Sequence, residues 1–395
     1  MNLRDRHEDK TSQHNEKLEI TLSKGEGEGT FSGFVSENEG QDAYDEFYQL
    51  TGLSKDEWEL DKGSLTVKLW QQSRRTDDGD RDVVWLRSYG GKLRLLNRPE
   101  LSQEDVESLL NIGRRYPQIK HKEASDQTRI VLISDLQVGK QDRRGGTSEL
   151  IARVSQIIDN LNEVMAENPC SRCVVVDPGD LIEGFENTSS QQFTNDLSHP
   201  EMLRVARSIL TDIVATIASQ HESVLVATCP SNHGAWRRGK GSLGRPGDDY
   251  GVDVHLSVKE ALERDPRFQN IEWKTPESLW DEITFFNERG FDFAVTHGHQ
   301  ARTKKFEDYW RKQAGTFSQA HNVDIVYSGH YHSFISQSLG LNAKGNERLH
   351  IQAPAMDNGS TWWYNISGDQ SKPGIVTHIL DDEGWKDIRL ITSDS

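Results

Sequence analysis

The chain has 395 residues, with 46 Lys and Arg against 63 Asp and Glu, for a formal net charge of −17. That balance excludes nucleic-acid binding through the whole surface, which needs a broad basic face, and leaves room only for a local basic groove. No run approaches the ~18 apolar residues of a membrane span. The charged start MNLRDRHEDK has no apolar signal core, so a cytoplasmic protein is expected. Three cysteines, at 170, 173 and 229, exclude a disulfide scaffold. Cys170-Ser-Arg-Cys173 has no second pair to complete a zinc ribbon, and Cys173 opens an apolar run, so a buried strand residue is expected there.

A chain of this length predicts two domains. Residues 1–40 are polar and without period, the composition of a disordered tail. Residues 41–120 read as a small α+β module with no evident chemistry, serving as a cap or as the site of a protein partner. Ser54-Lys-Asp-Glu57 has the spacing of a capping box and predicts a helix start. Leu65-Thr-Val-Lys-Leu-Trp70 alternates as a half-buried strand should, and Asp77-Asp-Gly-Asp80 reads as a turn. Gly90-Gly91 predicts the tight turn of a hairpin joining 82–89 to 92–96. A further helix is predicted from Ser102 to about Arg115.

Over 121–395 short apolar runs alternate with longer amphipathic segments. Strands are predicted at 130–133, 173–176, 224–227, 291–295 and 324–327, and helices at about 147–167 and 201–220. This is the rhythm of an α/β domain whose core strands are buried on both faces. Almost every run ends in a metal-capable residue. Ile133-Ser-Asp135-Leu-Gln137 closes the first, and Val176-Asp-Pro-Gly-Asp180 the second. Thr228-Cys-Pro-Ser-Asn232-His233, Val295-Thr-His297-Gly-His299 and Tyr327-Ser-Gly-His330-Tyr-His332 close the others. Ligands of open α/β folds gather at the carboxyl ends of strands, so these residues should converge on one sheet edge. One such piece is a turn or cap; five in order are a site.

The series resembles the calcineurin-like metallophosphoesterases, whose pattern is D-x-H, G-D, G-N-H-[DE], a lone His, then G-H-x-H. Here it reads Asp135-Leu-Gln137, Gly179-Asp180, Ser231-Asn232-His233-Gly234, His297 and Gly329-His330-Tyr331-His332, spanning about 129–380. The resemblance implies a four-layer α/β/β/α sandwich with a dinuclear site between its sheets. It implies that Asp135, Gln137, Asp180 and His332 hold one metal. Asp180 would bridge to a second, held also by Asn232, His297 and His330, with His233 facing the phosphate. Two divalent ions are implied, Mn²⁺ favoured by the mixed N and O donors, with Fe or Zn²⁺ as alternatives. A bridging carboxylate keeps such ions roughly 3.5–4 Å apart, which suits in-line displacement at phosphorus with a water made acidic between them.

Two positions depart from the pattern: Gln137 replaces a ligand His, and Gly234 replaces the acid that orients His233, so something else must fix that imidazole. His299 is read as a pocket neighbour, and Trp362-Trp363 as core. Cations follow the motifs at Lys140, Arg143, Arg144, Arg237, Arg238, Lys240, Arg245, Arg302, Lys304 and Lys305. Of these Lys140, Arg237 and Arg238 are the expected substrate binders, and the Gly-rich stretch 237–247 suggests a mobile loop. The resulting expectation is a phosphodiesterase acting on DNA, similar to the SbcD-like nucleases and to phage-type phosphoesterases, in the host cytoplasm if phage-encoded. A phosphomonoesterase or phosphoprotein phosphatase uses the same ligands, and a non-catalytic phosphate- or nucleic-acid-binding module is the reading outside enzymes.

Overall fold

The computed structural model describes residues 124–395 except 187–194, 239–240, 302–304, 317, 361–363, 365–367, 369–370 and 395. Before 124 it describes the strands named next, together with 48, 54–55, 105–107 and 116. The chain divides into two compact units, Met1–Pro99 with Thr188–Phe193, and Glu100–Asn187 with Thr194–Ser395.

The first unit holds β1 (Glu19–Ser23), β2 (Glu28–Ser32), β3 (Trp58–Leu60), β4 (Thr66–Arg75), β5 (Arg81–Gly91) and β6 (Leu93–Leu95). β1 pairs antiparallel with β2, so the stretch expected to lack structure contains a hairpin. The helix predicted from Ser54 is not continued, because Trp58–Leu60 is a strand paired with β6. The predicted Gly90-Gly91 turn is also overturned. Both glycines lie inside β5, opposite Thr66 of β4 and Gly29 and Thr30 of β2. The hairpin is β4–β5 instead, with Arg75 opposite Arg81, and the turn predicted at Asp77-Asp-Gly-Asp80 lies outside the described residues. Long-range pairing has won over local turn propensity. Of the helix predicted over 102–115, residues 105–107 are helical and the remainder lies outside the described residues.

The second unit contains β7 (Ser125–Leu132), α1 (Thr147–Glu167), β8 (Cys170–Asp177), α2 (His199–Ala218), β9 (Ser223–Thr228), β10 (Arg237–Arg238), β11 (Gly241–Ser242) and α3 (Tyr250–Leu262). There follow β12 (Ile271–Lys274), β13 (Ile283–Glu288), β14 (Phe291–Thr296), α4 (Phe306–Thr316), α5 (Ser318–His321), β15 (Ile325–Ser328), β16 (Ile335–Leu341), β17 (Glu347–Gln352), β18 (Gly374–Asp381) and β19 (Gly384–Thr392). One sheet has the order β12-β9-β8-β7-β18-β19 and the other β13-β14-β15-β17-β16. In the first, β7, β8, β9 and β12 are parallel; in the second, β14, β15 and β17 are.

Alternation along the strands builds the layers. Val131 of β7 and Cys173 and Val175 of β8 pack with Leu150, Ile157, Leu210 and Val254 from α1, α2 and α3. Their neighbours Ile130, Leu132, Val174 and Val176 face the second sheet, meeting Phe293, Val295, Tyr327 and Ile351. The rings of Phe286, Phe293 and Tyr327 stack there at 4.8 and 5.8 Å. The outer face of the second sheet is covered by Phe306, Trp310 and Ala320 of α4 and α5. Helices, sheet, sheet and helices make the α/β/β/α sandwich that the sequence predicts. All three cysteines are free and buried, and burial pushes the Cys173 and Cys229 thiols up. No helix among the described residues is long and apolar enough to cross a membrane.

Candidate metal centre

The predicted ligands stand just beyond the carboxyl ends of parallel strands: Asp135 and Gln137 after β7, Asp180 after β8, Asn232 after β9, His297 after β14, and His330 and His332 after β15. Among the described residues seven non-glycines have positive φ, and five of them are Asp135 (51°), Gln137 (43°), Asp180 (57°), His330 (70°) and His332 (54°). Each costs an L-residue about 1–2 kcal/mol, and such strain persists only where the surroundings over-determine it. Here the loops are tied to one another. Asp135 N donates to Gly179 O at 3.0 Å, and Gln137 N to Asp180 O at 2.9 Å. Asp177 braces the same turn, accepting from Gly179 N at 2.9 Å while its other oxygen lies 2.7 Å from the buried His255. Gly329 is needed for close approach, since a Cβ there would lie 2.5 Å from Asp135 Oδ2.

Asp180, His297 and His330 form one cluster, their ligand atoms all within 4.8 Å of one another. His297 Nδ1 donates to Pro178 O at 2.9 Å, which turns Nε2 inward, 2.9 Å from Asp180 Oδ2. His330 Nδ1 lies 3.2 Å from that Nε2. A second cluster is adjacent. Asp135 Oδ2 accepts from Ser134 Oγ at 2.5 Å and His330 N at 3.0 Å, leaving Oδ1 to face His332 Nε2 at 3.2 Å. Asp135 Oδ1, Asp180 Oδ2 and Asn232 Oδ1 are buried without an aligned hydrogen-bond donor among the described residues. Buried oxygens without donors are costly, and those of Asp180 and Asp135, facing His297 at 2.9 Å and His332 at 3.2 Å, are the donor set of divalent cations. The residues present fit metal.

The departures have structural answers. His233 Nδ1 lies 2.7 Å from Glu183 O and 3.3 Å from Glu183 Oε2. A carbonyl only accepts, so Nδ1 carries the hydrogen and Nε2 is turned toward Asp180 Oδ2, 4.0 Å away. Burial opposes the imidazolium, but the Asp180 and Glu183 carboxylates outweigh it and push His233 up to about 9. Glu183 thus performs the orienting task, a residue not singled out in the sequence although it stands three positions after Asp180. The volume of the missing acid is taken by Asp249, which accepts from Ser231 N at 3.0 Å and Val252 N at 2.9 Å. A Cβ on Gly234 would lie 2.5 Å from both Asp249 carboxylate oxygens. Gly234→Asp is therefore expected to destabilise the fold by about 1–3 kcal/mol from overpacking alone, read as a lower urea midpoint. Unchanged stability would show that Asp249 yields.

Lys140 is not a solvent-facing phosphate binder. It is 6% exposed, and its ammonium donates to Asp357 Oδ2 and Gln137 Oε1, each at 2.5 Å. Asp357 Oδ2 also lies 3.3 Å from His332 Nδ1. Burial works against the ionised carboxyl, but Lys140 and His332 hold Asp357 well below its ordinary range. Burial likewise opposes a charged His332, yet Asp357 and Asp135 push it up to about 10. Asp357 went unnoticed because β17, which leads to it, was not recognised. Arg237 and Arg238 form β10 of a small hairpin with β11, Arg237 half-buried and Arg238 exposed. Other cations have local partners: Arg144 Nη2 donates to Ser371 O at 2.8 Å, and Arg245 pairs with Asp248 at 3.0 Å. Lys240, Arg302, Lys304, Trp362 and Trp363 lie outside the described residues. His299 sits 5.5 Å from His297 ring to ring, and burial, with His297, pushes it down to about 3.

No protein-family model and no curated protein matches the sequence. Among solved structures the chain is similar to Vps29 of Entamoeba histolytica complexed with Zn²⁺, at 11% identity, 67% of this chain, 99% of that chain and a TM-score of 0.28. It is similar to a metallophosphoesterase from Sphaerobacter thermophilus at 12% identity, 67% and 88% coverage and a TM-score of 0.29. A putative 5'-nucleotidase from Staphylococcus aureus gives 12% identity, 68% and 54% coverage and a TM-score of 0.33. At such scores the functional reading rests on this chain's own residues.

Proposed function

We propose that the protein is a metal-dependent phosphodiesterase of the calcineurin-like type with nucleic acid as substrate. The observation that carries this is the convergence, from four strand ends, of two buried carboxylate oxygens, without an aligned donor among the described residues, with three imidazoles. One position would be held by Asp180, Asn232, His297 and His330, the other by Asp135, Asp180 and His332. Divalent ions there, Mn²⁺ first, would neutralise phosphoryl charge and make water acidic near neutral pH. The chain's own residues do the rest. His233 directs Nε2 toward the site, and the Asp180 and Glu183 carboxylates favour its imidazolium, the form that would donate to the leaving oxygen. Arg237 and Arg238 supply positive charge beside it in an acidic protein.

Gln137 is tied elsewhere. An ammonium only donates, so the atom facing Lys140 is the amide oxygen, and the amide nitrogen faces His233 Nε2 at 3.5 Å. The position beside Asp135 therefore has three protein ligands against four at the other. Gln137→His is expected to raise retained metal from about one equivalent toward two, its affinity at that position rising by roughly 10–100-fold. Two tightly held ions in the wild type would contradict this.

Glu183→Gln should lower kcat about 10–100-fold. It should also move the alkaline limb of the kcat profile below its wild-type position, because removing a carboxylate lowers the His233 pKa from about 9 and the acid form is lost at lower pH. An unmoved limb would mean that Glu183 only supports the fold. The substrate class is tested with single- and double-stranded DNA and Mn²⁺. Cleavage supports the proposal, while rapid turnover of a phosphomonoester with DNA left intact would replace it with a phosphomonoesterase.

A further inference from the structure

We propose that the cavity beside His233 is a nucleobase subsite, which receives the base on the leaving-group side of the scissile phosphate. The placement of that phosphate rests on the phosphodiesterase reading above. The cavity measures about 230 Å³ and is lined by Phe185, His199, His233, Trp236, Arg237 and Tyr250 among others. It shares His233 with the metal centre, so a group leaving toward His233 Nε2 has this cavity beside it. Three of its lining residues, Phe185, Trp236 and Tyr250, are aromatic, the kind of side chain on which bases of any sequence stack.

A single exposed aromatic is ordinary on a protein surface. Trp236 differs in its setting. It is 51% exposed yet lies on a fixed loop: its N–H donates to Asp248 O at 3.3 Å, and its carbonyl accepts from Leu243 N at 2.9 Å. The neighbouring Arg245–Asp248 pair closes the same loop at 3.0 Å. The opposite side is equally set, with the His199 ring edge-on to Tyr250 at 4.5 Å. Two polar atoms of the lining, His199 Nε2 and Arg237 Nε, are buried without a hydrogen-bond partner among the described residues. The polar edge of a base would satisfy such atoms, whereas a purely apolar occupant would not. A cavity of this size takes one base and not a base pair, so the substrate is a single strand or a frayed end.

The test compares thymidylyl-thymidine with its two abasic analogues, each lacking one base, in Mn²⁺. Loss of one base should raise KM by roughly 5–150-fold, the range of one base–aromatic stack, and loss of the other should change it little. Trp236→Ala should erase that difference with metal content unchanged, and Trp236→Phe should keep most of it. Equal KM for the three substrates in the wild type overturns the subsite. If no diester is turned over at all, the phosphodiesterase reading fails and binding decides the subsite separately. Thymidine monophosphate must then bind more tightly than deoxyribose 5-phosphate, by a factor that Trp236→Ala removes. Equal binding of the two overturns the proposal.

Discussion

Asp180→Asn is expected to abolish metal retention and to lower diester hydrolysis by roughly 10³-fold or more, the several kcal/mol that charge neutralisation by ions supplies. Asp180 is the one carboxylate assigned to both proposed metal positions. Its Oδ2 lies 2.9 Å from His297 Nε2, and its Oδ1 accepts from His233 N at 2.8 Å. An asparagine keeps the volume and can still accept the His233 bond. It lacks the charge that would hold two cations together and that favours the His233 imidazolium, so two functions fail through one atom change. Burial favours the neutral acid, yet His297 and His233 hold the Asp180 carboxyl well below its ordinary value. The group is therefore an anion at neutral pH. Wild-type metal and turnover in this variant would place the active centre elsewhere.

Lys140→Met is expected to cost about 3–5 kcal/mol of stability, the loss typical of breaking a buried ion pair. Lys140 and Asp357 are 6% and 2% exposed, so water does not replace the missing partner. The methionine fills the volume of the stem and leaves Asp357 Oδ2 facing His332 at 3.3 Å, while Oδ1 keeps its bond from Gly359 N at 2.9 Å. The pH dependence has a definite sign. Asp357 has a folded pKa below its ordinary 3.8, so its contribution is present above that value and is lost as pH falls through the folded one. The wild type should therefore lose stability on acidification faster than Lys140→Met. Urea unfolding of both proteins at several pH values measures this, and equal midpoints at neutral pH would show that the pair contributes nothing.

Much of this was legible in the sequence because the candidate metal ligands are local to strand ends. The helix predicted over 147–167 is α1, and each apolar run ending in Asp135, Asp180, Asn232, His297 or His330 became a parallel strand. Residues acting through others were harder to see. Glu183 meets His233 and Asp357 meets Lys140 only across the fold, and Asp249 fills the space of an absent side chain at Gly234. No spacing rule encodes such contacts. Lys140 misled for a related reason: a cation in a glycine-flanked segment looks solvated until a distant carboxylate is found beside it. Gly90-Gly91 misled because turn propensity is local, whereas the register of β5 is set by β4 and β2.

The most direct measurement is metal content and activity on one preparation. The purified chain would be assayed for bound metal, then for turnover of bis-p-nitrophenyl phosphate and p-nitrophenyl phosphate with Mn²⁺, alongside Asp180→Asn. The site described here predicts bound divalent metal and Mn²⁺-dependent hydrolysis of the diester, both lost in the variant. Bound metal with neither ester hydrolysed would contradict the enzymatic reading and leave a phosphate-binding module in its place.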